Sequence, residues 1–144
     1  MRFLILITAF LAACSTAHVM NKQVQQFNAA QEEKFQPTRA RFTELKGGVT
    51  NLEFGVWAGT PGETAANPEY RRKVLDRLES HCGFDESSLK EVRVVKHEPP
   101  IWYEVWVFNN PASKRHDKTS GFSIVFEFNP SANTTTTSFY GSCQ

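Results

Sequence analysis

Hydrophobic positions along the chain recur with two periods, and the change from one to the other divides the sequence. Val24, Phe27 and Phe35 fall near one stripe at helical spacing with Gln31 between them, and good helix formers (Gln, Glu, Lys and Ala) fill the other faces. Pro37 stops this pattern, and Thr38 caps a second short helical piece carrying Phe42 and Leu45, ended by Gly47-Gly48. The alternative for this region is a partly disordered stalk. Val49 to Ala58 alternates loosely as a first strand, and GTPGETAANP reads as a loop. Asn67-Pro68-Glu69 then starts a helix with a capping side chain, a proline pre-set at the first position and an acid at the positive end. Tyr70, Val74, Leu75, Leu78 and Cys82 share one apolar arc of that helix, and Gly83 follows as its left-handed cap.

Beyond Gly83 the period drops to two. Leu89 to Lys96, Ile101 to Phe108, Gly121 to Phe128 and Thr134 to Tyr140 read as strands with mostly short connections. In GFSIVFEF, Phe122, Ile124, Phe126 and Phe128 line one face. TTTTSFY is β-branched but polar on both faces, as suits a solvated outer strand. The expected class is α+β: N-terminal helical segments and one amphipathic helix packed on an antiparallel meander of three to five strands.

Two segments stand out as candidate contact surfaces. In IWYEVWVF, Ile101, Tyr103, Val105 and Val107 form one face, while Trp102, Trp106 and Phe108 form the other, interrupted by Glu104. A strand apolar on both sides is usually central and covered twice. The competing expectation is a half-open sheet whose Trp102, Glu104 and Trp106 face receives a partner, since tryptophan is favoured at binding hot spots. The loop NNPASKRHDKTSG is long for a strand connection and locally basic through Lys114, Arg115, His116 and Lys118. It reads either as a solvated connection or as a contact loop for an acidic partner or lipid phosphate. His97-Glu98 lacks the second histidine of a zinc-protease helix, and Pro99-Pro100 would break such a helix. No G-x-S-x-G is present, no catalytic residue, metal or cofactor is assigned, and an enzyme is not expected.

The N-terminus supplies an address. Arg2 precedes the apolar run Phe3 to Phe10, broken only by Thr8, and small residues follow, which is the layout of a secretory signal. Leu11-Ala12-Ala13-Cys14 resembles the bacterial lipobox at every position. The resemblance implies cleavage before Cys14 and lipidation of that cysteine (palmitate among the acyl chains). Ser15 in place of Asp implies sorting to the outer membrane. Ordinary cleavage after Ala13 is the rival, against which the short n- and apolar regions argue. Each buried CH₂ is worth about 0.8 kcal/mol, so several chains anchor stably. The expected organisation is a signal peptide at 1–13, a lipidated tether at 14–22 and a single domain at 23–144.

Removing Arg2 with the signal balances the 16 basic residues against the 15 acidic ones, which leaves no electrostatic case for nucleic acid. Giving Cys14 to the membrane leaves Cys82 and Cys143, an even remainder in an oxidising compartment. A disulfide closing about 60 residues stabilises by about 4 kcal/mol in the chain-entropy model. Shared metal binding is the alternative, without C-x-x-C spacing to support it.

The functional expectation is a lipid-anchored, periplasm-facing binding module with a protein partner, either an inhibitor or immunity protein or an accessory subunit of an envelope assembly complex. Helices followed by a meander, with a Trp/Tyr-rich strand, resemble the small helix-plus-three-strand lipoproteins of outer-membrane protein assembly machinery. That resemblance is one of element order and carries over no residues. A cell-envelope hydrolase is the third class.

Overall fold

The computed structural model describes residues 19–45 and 49–144. A first helix, α1, occupies 19–33, so it begins within the stretch expected to be tether. Strands β1 (Thr38–Leu45) and β2 (Val49–Trp57) pair antiparallel as a separate two-stranded sheet. The second helical piece expected from Thr38 to Leu45 is therefore a strand. Its sequence TRARFTEL also alternates with period two, and pairing with β2 satisfies the backbone that an isolated two-turn helix would leave partly open. The register shifts between Arg39 and Arg41, a bulge at Ala40. There Asn28 of α1 reads the strand as a backbone amide would. Its Nδ2 donates to Ala40 O at 2.8 Å, and its Oδ1 accepts from Ala40 N at 2.8 Å.

After the two-residue strand β3 (Thr60–Pro61) come α2 (Pro68–Cys82) and a 3₁₀ turn (Glu86–Ser88). Strands β4 (Leu89–Glu98), β5 (Ile101–Asn109), β6 (Thr119–Asn129) and β7 (Thr134–Gly141) follow. The second sheet has the order β3-β4-β5-β6-β7, antiparallel throughout, so the chain is an α+β fold built on a meander. The cap residues of α2 behave as their chemistry dictates. The Asn67 side chain accepts from Tyr70 N at 2.9 Å, and Gly83 sits at φ 73, returning its N–H to Glu79 O.

β5 is central and covered on both faces. On one side Trp106, Phe108, Phe122, Ile124 and Phe126 pack against Val74, Leu75 and Leu78 of α2 and against Phe84. On the other, Tyr103, Val105, Val107 and Val125 lie under Ala58, Phe35 and Trp57 from the N-terminal layer. Trp57 comes so close to the sheet that a Cβ at Gly121 would lie within 2.8 Å of three of its ring carbons; only glycine leaves that space. Cys82 and Cys143 form a disulfide with a Cα–Cα distance of 5.4 Å, joining the end of α2 to the segment after β7. Trp106 has no exposed surface. Trp106→Ala is expected to cost about 3–5 kcal/mol, read as a lower midpoint in urea unfolding.

Candidate functional site

The residues singled out on β5 divide sharply. Glu104 and Trp106 are both 0% exposed, so neither meets a partner in the folded molecule, which corrects the expectation of an open tryptophan platform. The physical reason is α2, whose apolar arc lies across that face. Trp102 alone is partly accessible, lining a hollow of about 180 Å³ with Ala66, Asn67, Tyr70, Phe126 and Thr135.

Glu104 is the chemically unusual group. Oε1 accepts from Ala65 N at 2.6 Å and faces His97 Nε2 at 2.8 Å; Oε2 accepts from the Thr64 hydroxyl at 2.7 Å and from Trp106 Nε1 at 2.8 Å. Four donors fill the acceptor capacity of one carboxylate. His97 reaches this cluster because of a local irregularity. The β4–β5 register shifts between Val94 and Lys96, so His97 pairs with Trp102 and joins the face that carries Glu104.

A hydroxyl, a carboxylate and an imidazole thus share one site, but in the order hydroxyl–carboxylate–imidazole. Nucleophilic catalysis needs the imidazole between the other two, to take the proton from the hydroxyl. Here His97 Nε2 is spent on Glu104, and Glu104 has no free lone pair for a base. The cluster is a latch holding the 64–66 segment, and with it the entry to α2, onto the sheet. His97 and Glu104 offer a metal two groups only, and among the described residues no set of three or more His, Cys, Asp or Glu gathers for one.

The 110–118 loop also divides. Arg115 donates to both carboxylate oxygens of Asp117 (3.0 and 3.1 Å) and to Gly55 O at 2.7 Å, with its guanidinium 4.1 Å from the Trp57 ring centroid. Lys118 Nζ donates to Ser113 O. The basic character read from the sequence is thus half consumed inside the fold. Lys114 and His116 remain exposed. The Arg115 guanidinium holds the Asp117 carboxyl down at about 2, against a smaller opposing effect of burial and with help from Thr119.

Arg115 and Trp57 wall a groove of about 620 Å³ shared with Pro37, Phe139, Tyr140 and Ser142. Along this side runs β7, the last strand of the sheet, and among the described residues no other element pairs with its outer edge. Thr134, Thr136 and Ser138 are exposed, and TTTTSFYG contains neither a charge nor a proline. Sequence reasoning identified β7 as an outer strand but not as part of a site, because its groove is completed by Trp57 and Arg115 from distant segments. Cys14 lies outside the described residues. No family model, curated protein or solved structure matches the chain.

Two outcomes follow from these placements. Glu104→Ala strands four donors and is expected to cost about 3–5 kcal/mol in urea unfolding, against about 1–2 kcal/mol for His97→Ala at the partly exposed rim. The stabilisation carried by Asp117 is fully present above its unfolded value of 3.8 and is lost as pH falls through about 2. Carboxyl NMR is expected to place the Asp117 midpoint near about 2, and Asp117→Asn is expected to flatten the acid limb of stability between pH 4 and 2.

Proposed function

We propose that the chain is a lipid-anchored outer-membrane protein facing the periplasm, and that it binds a protein partner through the edge of β7 and the adjoining groove. The single observation carrying the binding reading is that edge: eight residues without charge or proline, paired with β6 on one side and with no pairing neighbour on the other among the described residues. Soluble proteins ordinarily blunt such edges with charges, prolines or bulges, because an unpaired edge templates another strand. An extended segment laid along β7 gains main-chain hydrogen bonds from every second residue. The Trp57, Arg115 and Tyr140 walls supply side-chain discrimination at one end. The saturated Glu104 latch supports binding over catalysis, since it uses the chemistry an active site would need to keep free.

The lipid anchor rests on Leu11 to Cys14 and Ser15. An inhibitor or immunity protein would use the edge against one soluble enzyme. An assembly subunit would use it within a membrane complex.

A photo-crosslinking residue placed at Thr136 or Ser138, in cells carrying the intact protein, is expected to capture a protein partner. With the crosslinking residue at the exposed Thr134 instead, Thr136→Lys with Ser138→Lys is expected to lower capture by tenfold or more, with the unfolding free energy changed by less than about 0.5 kcal/mol. Crosslinks no more frequent at these positions than at Ala132 in the neighbouring turn would remove the edge from the proposal. Recovery of a soluble enzyme or of a membrane complex separates the two roles.

A further inference from the structure

A second surface feature lies on the N-terminal layer. Phe54 of β2 is 65% exposed, and Phe27 of α1, 40% exposed, meets it edge-to-face at a centroid distance of 5.7 Å. Val19 and Met20 are also large exposed apolar side chains. At 100° per residue, Val19, Met20 and Phe27 fall within an arc of about 100° on one side of α1. An aromatic pair that leaves both rings in solvent does little for the core, and such patches mark contact surfaces.

The chain itself indicates what covers the patch. If Cys14 is lipidated, the five residues to Val19 span at most about 18 Å. Phe27 lies about 12 Å further along the helix axis. The patch is therefore held within reach of the bilayer surface at all times. Charge agrees with that neighbour: residues 19–31 contain one charged side chain, Lys22, and the acids Glu32 and Glu33 come only at the far end of α1. No helix among the described residues is long and apolar enough to cross a membrane, so this is surface contact.

We infer that Val19, Met20, Phe27 and Phe54 form a membrane-resting face that docks on the lipid surface and fixes the orientation of the domain above it. This rests on the lipid-anchor reading, and the two are tested separately. The mature, full-length protein is reconstituted in vesicles of three parts phosphatidylethanolamine to one part phosphatidylglycerol, with and without brominated acyl chains. In Phe54→Trp, the added indole emission is expected to be quenched by at least half by the brominated lipid, beyond any quenching of the wild-type tryptophans. Quenching equal to wild type overturns the inference. Emission that is blue-shifted with protein concentration but untouched by bromine assigns the patch to a second copy and also overturns it. Should the variant lose cooperative unfolding, amide exchange of the wild-type segment 19–27 replaces it: protection on vesicles supports the docked face, and unchanged exchange excludes it. The mass of the mature N-terminus is measured on the same preparation. Unmodified Cys14 removes the anchor and this face with it, whereas lipidated Cys14 with an unquenched indole removes the face alone.

Discussion

A fully buried carboxylate must be given donors from several directions, and Glu104 on the central strand imposes that demand on the rest of the molecule. Its partners come from the loop before α2, from the bulged strand β4 and from Trp106 two residues along its own strand. Taking a charge out of water costs several kcal/mol unless hydrogen bonds replace the lost hydration. The loop is thus fixed where it must be for α2 to start at Asn67 and lay its apolar arc across Trp106, Ile124 and Phe126.

The neighbouring residue does the same for the opposite face. Tyr103, also buried, donates its hydroxyl to Gln36 O at 2.6 Å and lies near Ser123 and Arg39. Side chains alternate across a strand, so two consecutive polar tips each secure one covering layer. Arg93 adds to the N-terminal side by donating to the Ala58 and Gly59 carbonyls. The apolar faces supply the driving force for both layers, while the polar tips choose the segments that lie there. Apart from the small hollow beside Trp102 both faces of β5 are covered, and the proposed contacts fall on the sheet's edge and on the outer surface of the N-terminal layer. The β7 groove and the Phe27–Phe54 patch lie in those two places.

Local signals determined much of the fold. Asn67-Pro68-Glu69 and Gly83 bracket α2 because capping groups act within one turn. The period of two placed β4 to β7, and double-sided apolarity marked β5 as central. The N-terminal region was read less well. Phe42 and Leu45 fit helical spacing and strand alternation equally over eight residues, and pairing with β2 decided between them. At the candidate site the sequence showed Arg115 as one of four nearby bases. It did not show that Asp117, Gly55 and Trp57 would take up its donors and its face.

By itself, then, the sequence determined which segments from Asn67 onward become helix or strand, which of their faces are apolar, and that Cys82 and Cys143 remain to pair once Cys14 is read as a lipid site. Each of these depends on neighbours within a few residues or on counting. Only the tertiary structure decided the fate of the polar groups among them. Glu104 became a latch rather than an exposed contact or a base, Arg115 a wall rather than a free cation, and β7 a strand whose outer edge is unpaired among the described residues. Those outcomes depend on donors 39 and 40 residues away from Glu104, at Ala65 and Thr64, and on an acceptor 60 residues away from Arg115, the Gly55 carbonyl. Hydrogen bonding and desolvation are set by what surrounds a group in space, and no local pattern in the chain carries that information.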